Sequence, residues 1–244
     1  MDIPAVITVR TSSTRLPGKC LMPFGDGNVL QHIIRRARHF DLKPIVCTST
    51  DPSDDIIESL ALSEGAACFR GSLINKLKRW GDCAAQFGLA SFHTVDADDP
   101  FFDGEEIRNS MDLLSKSGAD VIYPTASSSA GGASVGYSLT AEVVRRALVG
   151  LPEEADTEMM WYRLESIPDL RSLALPDATP FELKVRLTLD YPEDYWLLES
   201  VRRMVGNLAS RQEINRLFAS NPDLYKVNWF RNEEWKQGQL AKKK

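Results

Sequence analysis

The chain has 244 residues, 43% of them apolar and 26% charged, and carries a net charge of −5. That length suits one large core, since cores grow to roughly 250 residues before splitting, and the composition excludes a disordered chain, a collagen-like chain and a small disulfide scaffold. The acidic balance argues against a general nucleic-acid binder, which carries a basic excess, while leaving room for a local basic pocket.

No apolar run approaches the roughly 20 residues of a spanning helix, so no membrane association is expected. The N-terminus shows no basic segment, long apolar stretch and cleavage site of a secretory signal. Cys20, Cys47, Cys68 and Cys83 lack C-x-x-C spacing, and His32, His39 and His93 do not cluster. The expectation is free thiols in a cytoplasmic protein, without zinc or a disulfide framework.

In chain order, residues 3–9 read as a short buried strand. Residues 28–40 read as an amphipathic helix, with Val29, Leu30, Ile33, Ile34 and Ala37 at helical spacing. A strand follows at 44–48. Asp51 then caps a helix with Pro52 in its first turn, running to 63. Residues 66–69 form a strand, Ser72 is placed to cap a helix to 87, and 91–95 is the next strand. Asp103 and Glu106 form a capping box for a helix to 117, and 119–123 is a further strand. This β-α-β-α order predicts an α/β fold, a mostly parallel sheet with helices on both faces. Ligands of such sheets bind beyond the carboxyl ends of the strands.

Beyond Tyr123 the pattern changes. Residues 127–134, rich in Ser, Ala and Gly, read as a loop, and Thr140 is placed to cap a helix to 149. Residues 182–189 alternate, with Leu183, Val185, Leu187 and Leu189 on one face and Lys184, Arg186 and Thr188 on the other. This predicts a half-exposed, antiparallel strand. Helices are expected at 192–205 and 210–219. Trp80, Trp161 and Trp196 read as core or interface aromatics, and His93 as a core histidine. No repeat or long linker interrupts the chain. One domain spanning 1–244, with an inserted region at about 124–185 and a tail at 221–244, is the simplest organisation.

The richest chemistry follows the first strand, in Arg10-Thr11-Ser12-Ser13-Thr14-Arg15-Leu16-Pro17-Gly18-Lys19. Loop N–H groups can form an anion nest, Gly18 permits close backbone approach, and Arg10, Arg15 and Lys19 can neutralise phosphate oxygens. A triphosphate is the natural partner of three cations on one loop. A solvated basic turn is the plain alternative. The loop is neither a Walker A motif nor a dinucleotide fingerprint. A second candidate is Asp96, Asp98 and Asp99 after the 91–95 strand, where carboxylates can hold Mg²⁺ or simply form a solvated turn. Asp190 and Asp194 stand where an alternating strand meets a helix beginning at Pro192, and either can also serve the helix dipole. Arg70-Gly71-Ser72 lies at a strand-to-helix turn, where the residues alone read as a capped helix start with Ser72 as the cap and Arg70 solvated.

Taken in order, these motifs resemble the cytidylyltransferases that activate acidic sugars. The Arg10–Lys19 loop is similar to their R-x-x-S-T-R-L-P-G-K signature, shared by KDO cytidylyltransferase and the family of spore coat polysaccharide biosynthesis protein F. The second family is matched over most of the chain, through Phe69-Arg70-Gly71-Ser72 with Leu77 and Arg79, through Asp98-Asp99-Pro100 with Phe101, and through Arg186-Leu187-Thr188-Leu189-Asp190-Tyr191-Pro192-Glu193-Asp194. Asn221-Pro222-Asp223-Leu224 with Asn228 resembles its tail.

The resemblance implies a Rossmann-like fold of the nucleotide-diphospho-sugar transferase type. It implies Mg²⁺-dependent transfer of CMP from CTP to an acidic sugar, KDO-like or nonulosonic, with release of pyrophosphate for surface polysaccharide synthesis. Arg10, Arg15, Lys19 and Asp98 would be catalytic. Ser13, Thr14, Gly18, Arg70, Gly71 and Ser72 would bind the nucleotide, the last three at the cytosine side. Asp98 and Asp190 would hold the metal. The inserted region and tail are compatible with a homodimer. The chain departs from the family's pattern at Asp156-Thr157-Glu158, where R-E-H is usual, at Thr94, where Arg is usual, and at Asn75, where Asp is usual. These departures fall on base-side and acceptor-side contacts. A nucleotide-sugar glycosyltransferase, which would release no pyrophosphate from CTP, and a non-catalytic nucleotide binder are the alternatives.

Overall fold

The computed structural model describes residues 2–129, 136–177 and 184–241. A seven-stranded sheet forms the centre, in the order β5 (Ala67–Gly71), β4 (Leu42–Ser49), β1 (Ile3–Thr8), β6 (Ser91–Asp96), β8 (Ser138–Thr140), β7 (Val121–Tyr123) and β9 (Ser172–Ala174). The first four are mutually parallel. β8 runs antiparallel to both β6 and β7, and β9 pairs parallel with β7. A small ribbon of β2 (Pro23–Phe24) and β3 (Gly27–Asn28) stands apart. The mostly parallel α/β sheet is as expected, and β8, inside the 124–185 region, is hydrogen-bonded into the same sheet.

Successive side chains of a strand face opposite ways, so the sheet carries a core on each side. Ala5, Ile7 and Val46 face a core shared with α1 (Val29–His39), α2 (Asp55–Ser63), α7 (Pro192–Val205) and α8 (Arg211–Ser220). Val6, Ile45, Cys47 and Phe92 face a second, shared with α3 (Lys76–Gln86), α5 (Ala141–Leu148) and α6 (Met160–Glu165). α4 (Gly104–Ser117) packs near β7 and β8, and α9 (Arg231–Ala241) closes the described chain. Asn28 and Gln31 make a full capping box on α1. Among the described residues no helix is long and apolar enough to cross a membrane.

Several local expectations need correction. The cap of α3 is Asn75, whose side chain accepts from Lys78 N; Ser72 instead accepts from Asn75 N. Asp103 caps α4 through Glu105 N and Glu106 N, but the Glu106 carboxylate accepts from Thr125 and Ser128. Residues 182 and 183 lie outside the described residues, as do 130–134 of the expected loop. Residues 184–189 belong to no strand and join no ladder. Val185, Leu187 and Leu189 do enter the core, yet so does Arg186, 1% exposed, because Asp194 takes its Nε and Nη2 at 2.8 and 2.9 Å. Trp80 is fully buried, whereas Trp196 is 59% exposed and is no core residue. His93 is buried, its Nδ1 against Ser138 Oγ at 2.8 Å.

Candidate active site

The strand order reverses beside β1. β4 and β5 follow on one side and β6 on the other, and Thr8 stands opposite Asp96 at the two carboxyl ends. A crevice at such a switch point is where this architecture places ligands. Here it is a cavity of about 720 Å³, within the range of small-molecule sites. It is lined by Arg10, Ser12, Ser13, Thr14, Arg15 and Lys19 of the loop, by Asp96 and Asp98 after β6, and by Ile74, Lys76, Asp156, Glu158 and Met159.

The phosphate-loop candidate has a defined shape. Ser13 N and Gly18 N both donate to Thr11 O, at 2.9 and 3.1 Å. Gly18 adopts φ +66° as the chain enters a 3₁₀ turn over Lys19–Leu21, a left-handed conformation suited to glycine. The base of the loop is tied down by Asp54, which sequence reasoning missed. Its Oδ1 accepts from Thr11 N and Thr11 Oγ1, each at 2.8 Å, and its Oδ2 from Ser49 Oγ. Asp54 is 1% exposed. Burial alone would raise its pKa, but these donors hold it below the ordinary carboxylate value. The readable signal was only an Asp inside a capped helix start.

Lys19 is the hub. Its Nζ donates to Asp98 Oδ2 at 2.8 Å, to Asp190 Oδ1 at 3.0 Å and to Leu189 O at 2.8 Å. Arg15 Nη2 reaches Asp190 Oδ1 at 2.6 Å, with its guanidinium 5.7 Å from the Tyr191 ring centre. Leu189 N donates to Asp98 O at 2.6 Å, so the backbone itself brings the two carboxylates together. Burial disfavours the Lys19 charge, but Asp98 and Asp190 outweigh it and raise the pKa. Burial also pushes the Asp190 carboxyl up, and Lys19 and Arg15 reverse this, taking it to about 2. Asp98 moves the other way, raised by burial and by Asp190 and Asp96 against the pull of Lys19. Asp99 faces inward, 2% exposed, and lies outside the cavity lining.

Asp190 is positioned from behind. Asp194 Oδ2 accepts from the backbone N of Asp190 and of Tyr191 at 2.9 and 3.0 Å. Arg186, held on Asp194, reaches Asn232 Oδ1 at 3.0 Å, and Asn228 Nδ2 donates to Asp194 Oδ1 at 2.9 Å. The tail thus reaches the site through two asparagines.

The structure brings Arg10, Ser13, Thr14, Arg15, Lys19, Asp98 and Asp190 together, with Gly18 shaping the loop. It does not bring Arg70, Gly71 and Ser72 to the cavity. The Arg70 guanidinium is held by Ser49 O and Asp51 O, both at 2.9 Å, and by Asp55 and Glu58. Arg10 donates to Leu73 O at 2.7 Å and to Glu158 at 2.9 Å. The 153–158 segment is stitched to α3, with Thr157 Oγ1 accepting from Leu77 N and donating to Asn75 Oδ1, both at 2.9 Å. Lys76 is not singled out by sequence, and Glu158 only as part of the departure from the family's R-E-H.

A metal fits the donor chemistry. Asp98 and Asp190 aim hard oxygens at one point, which Lys19 Nζ holds. Among the described residues no group of three or more His, Cys, Asp or Glu side chains could hold an ion. Two carboxylates completed by phosphate oxygens and water are a usual Mg²⁺ arrangement.

The family model described as cytidylyltransferase matches residues 5–176. Spore coat polysaccharide biosynthesis protein SpsF of Bacillus subtilis (strain 168) is 28% identical, over 91% of this chain and 96% of its own. A cytidylyltransferase structure from Leptospira borgpetersenii superposes with a TM-score of 0.80 at 23% identity, over 92% of this chain and 97% of that one. A CMP:2-keto-3-deoxy-manno-octonic acid synthetase complexed with CTP superposes with a TM-score of 0.63 at 14% identity, over 84% and 99%.

Proposed function

The chain belongs to the cytidylyltransferase family, and from that premise we propose that it transfers CMP from CTP to a sugar hydroxyl and releases pyrophosphate. The observation that carries this reading is the meeting of Lys19 with Asp98 and Asp190 beneath a cationic loop. Arg10, Arg15 and Lys19 take phosphate oxygens, with Ser13 and Thr14 lining the same cavity and Gly18 keeping the backbone close. A triphosphate is a better partner for Arg15 and Lys19 than the carboxylates they now hold, because it offers several anionic oxygens at once.

Asp98 and Asp190 would hold a divalent cation, taken as Mg²⁺, which supplies charge neutralisation at the phosphates. The chain's own residues do the rest: they align the α-phosphate with the incoming hydroxyl and neutralise the charge on the departing pyrophosphate. The proposed acceptor is an acidic sugar, KDO-like or nonulosonic, destined for surface polysaccharide. The name of the Bacillus relative supports a polysaccharide setting. The proposal includes a cytoplasmic enzyme, a single domain over 1–244, an acceptor and dimerisation role for about 124–185, and a tail at 221–244.

The test is pyrophosphate release from CTP and Mg²⁺ with a panel of 2-keto-3-deoxy and nonulosonic acids, in the native chain and Asp98→Asn. Release with at least one acceptor, abolished in a folded Asp98→Asn, is expected. No release with any acceptor contradicts acidic-sugar transfer, and near-normal turnover in Asp98→Asn contradicts the metal assignment.

A further inference from the structure

The cavity carries two ionic groupings. In one, Arg15 and Lys19 meet Asp190 and Asp98. In the other, Lys76 in the first turn of α3 reaches Asp96 at the end of β6, two residues before Asp98. Both groupings border the same cavity, since Lys19, Asp98, Lys76 and Asp96 all line it. A nucleotide whose phosphates sit on the first grouping carries its ribose next to them in the chain of bonds.

The Lys76–Asp96 pair is held in place and incompletely used. Lys76 is 5% exposed and its Nζ donates to Asp96 Oδ1 at 3.0 Å. The ammonium also sits 5.1 Å from the Trp80 ring centre, and Trp80 is itself fixed by Nε1 donating to Thr8 Oγ1 at 2.8 Å. Among the described residues Lys76 Nζ makes that one hydrogen bond, although an ammonium has three N–H donors. Asp96 Oδ2 likewise accepts from none of them, although both residues line the cavity. The pair therefore offers spare donors and a spare acceptor side by side, with its charges already matched. An anion at this place meets Asp96 and a cation meets Lys76. Neighbouring hydroxyls, each both donor and acceptor, satisfy the two together.

We propose that Lys76 and Asp96 bind the 2′- and 3′-hydroxyls of the nucleotide's ribose and make the cavity selective for ribonucleotides. The proposal rests on the nucleotide-binding part of the cytidylyltransferase reading. It assigns the pair as specificity-determining residues, apart from the groups at the phosphates.

The test is calorimetric titration, at saturating Mg²⁺, of the native chain, Lys76→Met and Asp96→Asn with CTP, 2′-deoxy-CTP, 3′-deoxy-CTP and 2′,3′-dideoxy-CTP. Charge-assisted hydrogen bonds predict that the native chain binds CTP about tenfold or more tighter than the dideoxy nucleotide, with each monodeoxy form between. Both variants should bind CTP only as tightly as dideoxy-CTP, and dideoxy-CTP should bind all three proteins alike. Equal affinity of the native chain for CTP and dideoxy-CTP overturns the proposal. So does a preference for CTP that survives in both variants. The native-chain comparison decides the matter even where a variant fails to fold. Failure of the native chain to bind any of the four nucleotides refutes the nucleotide reading itself and is distinguishable from loss of ribose selectivity.

Discussion

Replacing Lys19 with Met removes one ammonium from between two carboxylates. Lys19 is 13% exposed at its side chain and Asp190 2%, so solvent screens this contact little. Breaking a buried pair from one side costs about 3–5 kcal/mol, because the remaining charge is stranded. Asp190 keeps Arg15 at 2.6 Å and Arg186 at 3.5 Å, whereas Asp98 loses its single ion-pair partner among the described residues. The expected loss therefore lies at the lower end, about 3 kcal/mol. For a domain of this size that corresponds to a fall in melting temperature of roughly 6–12 °C. Scanning calorimetry of Lys19→Met against the native chain, at neutral pH without nucleotide, reads this directly. Adding Mg²⁺ should restore more stability to the variant than to the native chain, since two carboxylates then lack their ammonium. A melting temperature within about 2 °C of the native value would refute the view that the carboxylates depend on Lys19.

Asp54→Ala should loosen the phosphate loop by freeing Thr11 N and Thr11 Oγ1, weakening CTP binding about tenfold or more in a titration; unchanged affinity would show that the loop holds its own shape. Burial lowers the pKa of His32 to about 4 and of His93 to about 3, against 6.5 for a free imidazole. The folded state thus binds fewer protons than the unfolded one. Their contribution is complete above pH 6.5 and is lost as pH falls toward 4, by about 3 kcal/mol for each histidine. Denaturant melts across that range, with imidazole NMR shifts, check this, and titration of either ring near pH 6.5 would contradict it. Gly18→Ala should cost about 1 kcal/mol, because an L side chain is strained at φ +66° although nothing crowds its Cβ; an unchanged melting temperature would contradict the left-handed turn.

The parts that were legible in the sequence are those whose physics is local. Val29, Leu30, Ile33, Ile34 and Ala37 bury one face of α1 as their spacing requires. The Arg10–Lys19 loop is readable as a candidate because three cations and a Pro-Gly turn fall within ten residues, and all three cations line the cavity. The parts that were not legible depend on partners distant in the chain. β8 and β9, three residues each, exist because β6 and β7 offer them edges. Arg186 was placed on an exposed face by alternation, but Asp194 and Asn232 make burial of its charge tolerable. The contacts of the Arg70 guanidinium with the β4 end and α2 are likewise invisible in the sequence, since they join residues 12 to 21 positions apart. Asp54 and Lys76 look ordinary in sequence, and only folding sets one under the loop and the other beside Asp96.

The most direct measurement is thermal stabilisation of the native chain by CTP, UTP, ATP and GTP, each with and without Mg²⁺. A ligand at 100 times its dissociation constant adds about 2.7 kcal/mol, a rise of roughly 5–11 °C in this size class. The account predicts that rise for CTP with Mg²⁺ and not for the other three nucleotides. No stabilisation by CTP with Mg²⁺, or equal stabilisation by all four nucleotides, would contradict it.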